Sequence, residues 1–301
     1  METFLIATDF LLLLFWVRLW SLPDKELYFN PFLSAPTRLT DQVLLFLRPV
    51  LPLPGRLTAL LLLFFLLAFR AVALHHFRAE APWAISIGTI FTFSPREPGV
   101  HGAVTFSTLH FLFFIARYWG VYALIRILTP VLRRDRASEA FHFAALPLAA
   151  LQRWAQILLL LAVHGALVYE LSLVGEFHNH LPPVLAAHPL APPAADHAGR
   201  LLYLGCLTLF SVADLLMMAW QLMFSLLVGS FAALMLQNAA LSAICNEGVA
   251  TMLGGTRKRL IVGFLDLTPL FYMASLYLLY TLVALPLLLT VMKQCQSIVP
   301  A

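Results

Sequence analysis

Long apolar runs separated by short polar segments dominate the pattern of this 301-residue chain. A helix needs about 20 mostly apolar residues to cross the hydrocarbon core of a bilayer. Runs that reach or approach this length begin near Phe4, Leu57, Ala103, Trp154, Leu201 and Leu267. The pattern predicts an all-α polytopic membrane protein with about six transmembrane helices.

Composition supports the same class, because 61% of the residues are apolar, 11% are charged and the mean hydropathy is +0.87. Such a chain cannot be solvated as an ordinary globular surface. The first apolar run carries Glu2, Asp9 and Arg18 and lacks the basic start of a secretory signal. We therefore expect it to stay attached as a membrane anchor.

Lysine and arginine residues concentrate in the segments that follow the first, third and fifth predicted spans. Positive residues near span ends are retained in the cytoplasm. These three segments hold Lys25, Arg38, Arg48, Arg56, Arg133, Arg134, Arg136, Arg153, Arg257, Lys258 and Arg259, whereas the other side holds Arg78, Arg96, Arg200 and Lys293. The distribution predicts a protein of the bacterial inner membrane with both termini outside and the basic segments in the cytoplasm. The net charge of +4 is thus a topology signal, and we expect no nucleic-acid partner.

The chain divides into three parts. Residues 1–76 and 201–301 each have the order span, short amphipathic segment, span, whereas residues 77–200 form a middle insert with two spans and a Pro/His-rich loop. Because an even number of spans separates the two hairpins, they share one orientation and are parallel repeats. Their amphipathic segments then lie on the same membrane face.

The first amphipathic segment has the signals of a short interfacial helix. Asn30 and Pro31 suit its start, because Asn caps exposed N–H groups and Pro fixes the backbone of a first turn. Pro49 suits its end. Apolar residues recur at helical spacing: Phe32, Leu39, Val43, Phe46 and Val50. The helix either packs on the protein's own spans or docks on the lipid surface.

Short motifs in both hairpins resemble the YggT family of membrane proteins. In the first hairpin they are Asn30-Pro31-Phe32, Thr40-Asp41 and Leu47-Arg48-Pro49; in the second they are Arg257-Lys258-Arg259 and Gly263-Phe264-Leu265-Asp266-Leu267-Thr268-Pro269. The resemblance implies two hairpins of this kind and a role in envelope organisation, osmotic tolerance or complex assembly. Each hairpin carries a different half of the motif, and Gln42 stands where the family has proline.

Asp266, Thr268 and Pro269 precede the last predicted span. A side-chain oxygen there caps the N-terminus of the helix, where negative charge is favourable. An ion-binding role for Asp266 is the alternative, because a helix end with free backbone groups can coordinate ligands.

Several ionisable residues lie within the predicted spans, where each costs about 2.5–3.5 kcal/mol on insertion scales unless it is paired or hydrated. They are Asp9, Arg70, His110, Arg117, His164, Glu170 and Asp214. We expect Arg117 and Asp214 to be the deepest and to pair between helices. The pair either holds spans together, belongs to a proton or ion pathway, or lines a cavity for a partner's charged group.

The histidines offer weak metal and cofactor signals. His178 and His180 could recruit a metal, but a solvated polar loop is the preferred interpretation. His110 and His164 could ligate a haem or chlorophyll, but a hydrogen bond between helices fits them better. The spacing of Cys206, Cys245 and Cys295 suggests no disulfide framework. We expect no metal or cofactor.

Catalytic motifs are not apparent, so we expect a non-enzymatic protein. The preferred hypothesis is a scaffold, assembly factor or accessory subunit of a membrane complex. Its partners would be membrane lipids and other integral membrane proteins or a second copy of this chain. The alternative is a small ion or proton transporter or channel that uses the intramembrane charges.

Overall fold

A computed structural model describes residues 2–20, 29–76, 84–87, 91–96, 99–128, 136–179, 197–253, 260–262 and 265–298. Within these ranges the helices are α1 Glu2–Trp20, α2 Pro31–Leu47, α3 Gly55–His76, α4 Val100–Leu128, α5 Arg136–Ala144, α6 Arg153–Val174, α7 His197–Met235, α8 Ala239–Leu253, α9 Thr268–Leu278 and α10 Leu285–Ile298. The strands are β1 Ile85–Ile87, β2 Phe91–Pro95, β3 Gly175–Asn179, β4 Ile261–Val262 and β5 Leu265–Asp266.

Five helical segments in the described part of the chain are long and apolar enough to cross a membrane. They are Gly55–His76, Val100–Ile127, Arg153–Val174, Leu201–Met235 and Thr268–Gln294. These segments coincide with the last five predicted spans, so the prediction of a mainly helical chain with several helices able to cross a membrane is confirmed. The first predicted span lies in α1 and is not among the five, so the count of six and the repeat arrangement stay predictions.

The last of these segments contains a wide turn. A π-helical stretch, Leu279–Ala284, joins α9 to α10. Pro286 lies just after this stretch and explains it, because proline has no N–H and its ring clashes with the carbonyl four residues earlier. The extra residue in the turn removes that clash while the helix continues.

Helix α4 lies at the centre of the bundle and packs against α3, α6 and α7. One buried cluster surrounds its first half and includes Leu74, Phe106 and Phe210. A second cluster joins α4 to α1, α3 and α6, and a third joins it to α7 and α8. Most of the apolar core therefore forms around this one helix.

A three-stranded antiparallel sheet, which we call the re-entrant sheet, lies among these helices in the order β1-β2-β3. Alternate side chains of β1 and β2 are buried, with Ile85, Ile87, Phe91 and Phe93 at most 2% exposed. This alternation is the period of a strand with one buried face. The all-α prediction is therefore too simple, because non-helical backbone fills part of the bundle.

The strand β3 also corrects the prediction of a solvated polar loop around His178 and His180. Gly175–Asn179 pairs with β2, and His178 lies opposite Thr92 in the register. His180 and the rest of the Pro/His-rich loop lie outside the described residues. The backbone at His178 therefore belongs to the sheet and not to a loop.

The re-entrant sheet reaches far along the helices. The Phe91 ring lies 5.1 Å from the Phe210 ring, and Arg117 donates a hydrogen bond to the Ser86 carbonyl. Arg117 lies about 25 Å along α4 from its first residue, at 1.5 Å per residue. The core encloses the side chains of Ile85 and Ile87 on either side of the Ser86 carbonyl, whereas Ser86 itself is exposed.

Candidate functional site

The predicted pair of Arg117 and Asp214 is brought together between α4 and α7. The Arg117 Nη2 atom lies 3.7 Å from the Asp214 Oδ2 atom, and 19% and 11% of the two side chains are exposed. The same Nη2 atom donates to the Ser86 carbonyl, and the guanidinium lies 5.8 Å from the centre of the Phe113 ring. Arg117 therefore lies beside a carboxylate and also donates to a carbonyl of the edge strand β1.

The close approach of α4 and α7 beside this pair depends on Gly120. A Cβ atom added at Gly120 would overlap the Cδ atoms of Leu215 and come within 3.0 Å of its Cγ atom. Leu215 is the neighbour of Asp214 in sequence. The absence of a side chain at Gly120 thus leaves room for Leu215 beside the charge pair.

His164 and Ser211 form a buried hydrogen bond between α6 and α7. The His164 Nδ1 atom lies 2.8 Å from the Ser211 Oγ atom, and both residues are fully buried. Ser211 lies one turn before Asp214 on α7, so the two side chains share one face of the helix. This contact gives His164 a helix-to-helix role of the kind that the sequence favours over cofactor ligation.

A second polar cluster joins α1, α3 and α4 around Arg70, which is fully buried. Its guanidinium pairs with Asp9, donates from Nε to the Ser107 hydroxyl at 2.9 Å and donates to the Ser107 carbonyl. The His110 Nδ1 atom lies 3.3 Å from Asp9 Oδ2. We call these four residues the Arg70 cluster. Sequence reasoning placed Arg70 among the ionisable residues of the spans but did not identify Ser107 as its partner.

Asn30 links the first hairpin to the middle insert. Its Oδ1 atom accepts from the Phe32 N–H at 3.0 Å and so caps α2. Its Nδ2 atom donates to the Arg136 carbonyl at 2.8 Å and to a Glu139 carboxylate oxygen at 3.3 Å. The first motif residue therefore caps its own helix and also holds the start of α5.

The second hairpin holds the same end of α5. The Ala137 N–H donates to a Glu247 carboxylate oxygen on α8 at 3.2 Å. A carboxylate suits this position, because the N-terminus of a helix carries free N–H groups and partial positive charge. Glu247 was missed by sequence reasoning, because nothing local to α8 identifies a contact with α5.

The other end of α5 is held by α4. The Tyr122 hydroxyl lies 2.7 Å from His142 Nδ1, and the Tyr118 hydroxyl donates to the Phe141 carbonyl at 3.5 Å. Burial, together with the charge of Arg126, lowers the pKa of His142, which favours the neutral ring that can accept a hydrogen bond from Tyr122. We call α5 and these contacts at its two ends the α5 junction.

The remaining motif residues of the first hairpin lie along α2. Pro31 is the first residue of the helix, and Asp41 forms an ion pair with Arg18 on α1. The Arg48 N–H donates to the Leu44 carbonyl at 3.1 Å. Arg48 and Pro49 have exposed side chains where the helix ends.

The motif residues of the second hairpin surround the start of α9. The Asp266 Oδ1 atom accepts from the Thr268 N–H at 3.0 Å, and the Thr268 hydroxyl accepts from the Leu260 N–H at 2.8 Å. Pro269 is buried. Gly263 and the basic triplet at residues 257–259 lie outside the described residues. The contacts of Asp266 and Thr268 lie within the second hairpin, as that of Arg48 lies within the first.

Metal-binding geometry is absent from the part of the chain that the structure describes. No group of three or more His, Cys, Asp or Glu side chains there is placed to hold a metal ion. Comparison of the chain with family models, with characterised proteins and with solved structures finds no match. The roles of its residues therefore follow from their geometry alone.

Proposed function

We propose that this chain is a non-enzymatic, YggT-like protein of the bacterial inner membrane that acts as a scaffold, assembly factor or accessory subunit of a membrane complex. Its partners would be integral membrane proteins or a second copy of the chain. The observation that carries the proposal is an exposed apolar surface at the turn between α7 and α8. Further support comes from the hydrogen bonds and ion pairs of the motif residues and from the α5 junction, because these contacts hold both hairpins in place.

Helix α7 is longer than a bilayer requires. It spans 39 residues, which corresponds to about 58 Å at 1.5 Å per residue, whereas a hydrocarbon core is about 30 Å thick. A typical tilt of about 20° shortens its reach only slightly. One end of α7 therefore extends past the hydrocarbon.

Helix α8 turns back along the C-terminal end of α7, which we take to be the projecting end. The Cys245 Sγ atom lies within 3.0 Å of a Cβ position built on Gly229, and Leu226 lies equally close to one built on Gly248. The Ser230 hydroxyl donates to the Asn246 side chain at 2.8 Å. Two small residues thus let α7 and α8 pack closely and form a defined projection.

Large apolar side chains cover the end of this projection. We call the surface the α7–α8 tip, and it consists of Val228, Phe231, Leu234, Met235, Leu236 and Leu241, which are 40–74% exposed. A contiguous apolar patch of this kind marks a site of contact with protein or membrane. Because α7 outreaches the hydrocarbon, we assign the α7–α8 tip to a protein partner.

Photo-crosslinking in intact membranes tests this assignment. A photoreactive amino acid at Phe231 should give a discrete protein adduct, whereas the same amino acid at Phe65, which is 67% exposed on α3, should give mainly lipid adducts. The double variant Phe231→Ser/Leu234→Ser should shift the protein from a larger assembly to a smaller one after gentle detergent extraction. Lipid adducts alone at Phe231, together with a lone monodisperse monomer, would contradict the proposal.

The buried charges support a second candidate, a small ion or proton transporter or channel. Both the Arg70 cluster and the Arg117–Asp214 pair lie along α4, as groups on a pathway would. The largely enclosed Arg117–Asp214 pair is better suited to a structural role. Proteoliposomes decide between the two, because proton or cation flux that disappears in Asp214→Asn would favour transport, whereas no flux would remove this candidate.

A further inference from the structure

An apolar cleft of about 500 Å³ lies between the two hairpins, and we call it the inter-hairpin cleft. Its walls come from α1, α4, α7 and α8, and α2 and α5 cover one end. Lining residues include Phe10, Phe114, Leu222, Met252, Ala140 and Ala144. A volume of this size falls in the range of small-molecule sites, about 300–1,000 Å³.

The chemistry of the inter-hairpin cleft suits an apolar occupant. Thr251 and Tyr118 are the lining residues with polar side chains. The Thr251 hydroxyl donates to the Glu247 carbonyl at 3.0 Å, and the Tyr118 hydroxyl donates to the Phe141 carbonyl at 3.5 Å. Water is held poorly in a space without polar partners. A hydrocarbon group is therefore the occupant that fits.

The position of the inter-hairpin cleft indicates where that hydrocarbon group comes from. Phe114 lies midway along α4, a helix long and apolar enough to cross a membrane, so this wall of the cleft lies at the level of the acyl chains. Phe10, on the α1 wall, is 57% exposed. An acyl chain can therefore enter sideways, without leaving the apolar phase.

The covered end of the cleft has a basic residue at its rim. Arg136 begins α5 next to Ala137, which lines the cleft, and the Arg136 side chain is exposed. An exposed arginine at this rim supplies a positive charge beside the cleft, and arginine binds phosphate strongly.

We propose that the inter-hairpin cleft binds one acyl chain of an anionic membrane phospholipid, whose headgroup contacts Arg136. The α5 junction then has a second consequence, because Asn30, Glu247 and Tyr122 hold α5 as the cover of this site. Lipid binding would join the two hairpins through a ligand that both contact. The proposal does not depend on the scaffold function, because it concerns a different surface from the α7–α8 tip.

The test uses the full chain in vesicles of phosphatidylcholine and phosphatidylglycerol, with a trace of phosphatidylglycerol that carries a diazirine on one acyl chain. Adducts should concentrate on peptides containing Phe10, Phe114 and Leu222. Leu222→Trp, which fills the cleft, should lower these adducts at least fivefold. The matched variant Leu61→Trp, at an exposed position on α3, should leave them unchanged.

A second filling variant and a charge variant complete the design. Ala144→Phe fills the same cleft from α5 and should also lower the adducts. It keeps the test valid if Leu222→Trp fails to fold. Arg136→Gln should lower the preference for phosphatidylglycerol over a phosphatidylcholine probe severalfold, whereas Arg56→Gln, also at an exposed arginine, should not. The Arg136 carbonyl that Asn30 binds is unaffected by the substitution.

Three results would overturn the proposal. The first is adducts spread evenly over exposed apolar faces and insensitive to both filling variants. The second is a protein segment, rather than lipid, crosslinked in the cleft of the chain taken from native membranes. The third, equal labelling by both probes in the unaltered protein, would refute the anionic headgroup contact.

Discussion

Arg70 is a charged side chain enclosed by protein, so its guanidinium requires polar partners within the fold. Its guanidinium is completely enclosed and finds acceptors on Asp9 and on both oxygens of Ser107. Breaking a buried ion pair by removing one partner costs about 3–5 kcal/mol, because the other charge is left uncompensated. The Arg70 cluster is therefore a strong determinant of how α1, α3 and α4 pack.

Arg70→Gln should destabilise the protein by about 3–5 kcal/mol, because Asp9 loses its counter-charge. Arg56→Gln supplies the matched control on the same helix, since Arg56 is exposed and surface substitutions change stability by at most about 0.5 kcal/mol. Thermal unfolding in lipid nanodiscs measures both. The double variant Asp9→Asn/Arg70→Gln should recover part of the loss, and equal unfolding temperatures for Arg70→Gln and Arg56→Gln would refute the argument.

Single-residue predictions from sequence succeeded where the relevant partner was close in sequence or strongly constrained. The cap that Asn30 forms on α2 involves residues close in sequence. The predicted spans contain few acidic residues, so Asp214 was readily identified as a partner of Arg117. The contacts of Asn30 with α5 and of Glu247 with Ala137 join residues far apart in the chain. Sequence alone does not say which helices are neighbours, so it could not supply these contacts.

At the scale of elements, the packing of α4 on α7 depends on one glycine. Gly120→Val should destabilise the protein by about 1–3 kcal/mol, the usual cost of overpacking, because its side chain would meet Leu215. Gly205→Val, on α7, should be tolerated, because nothing lies within 4 Å of a Cβ placed there. Thermal unfolding of the two variants provides the comparison.

A second measurement tests the same close approach. If α4 and α7 separate in Gly120→Val, the distance between the two helices should increase. Spin labels, or disulfide formation between introduced cysteines, measure this change, which should be absent in Gly205→Val. Unchanged stability and distance in Gly120→Val would show that Leu215 moves aside without cost. The close approach of α4 and α7 would then not depend on Gly120.

The elements themselves were unequally predictable. A membrane span is recognised from length and apolar content, and this was sufficient for five of the helices. The re-entrant sheet carried a weaker signal, the alternation of Ile85, Ile87, Phe91 and Phe93. Alternation over so short a stretch is easily overlooked between long apolar runs, and the pairing of β2 with the distant β3 has no local signal at all.

At the scale of the whole molecule, the middle insert joins the two hairpins. Helix α4 supplies the central core, and α5 contacts the first hairpin through Asn30 and the second through Glu247. The inter-hairpin cleft lies beneath this cover. None of these arrangements follows from hydropathy or motifs, because both describe the hairpins separately and leave their mutual packing open.

The orientation of the whole molecule gives a final prediction. Positive residues near span ends favour the cytoplasm, so single cysteines at Arg56 and Gln152 should react only with a membrane-permeant reagent. Cysteines at His101 and Lys293 should also react with an impermeant one in intact cells. All four positions are exposed, and the background variant would lack Cys206, Cys245 and Cys295.

An N-terminal epitope tag decides whether α1 completes a set of six spans. If α1 crosses the membrane, the tag lies on the same side as His101 and Lys293, because six crossings return the chain to the side on which it began. The tag should then be accessible outside the cytoplasm. A tag protected in the cytoplasm while Lys293→Cys is labelled outside would mean an odd number of crossings, and would leave five spans with α1 on the inner face. Because Asp9 of α1 pairs with Arg70, which lies about 22 Å along α3 from its first residue, that result would contradict the packing of α1 along α3.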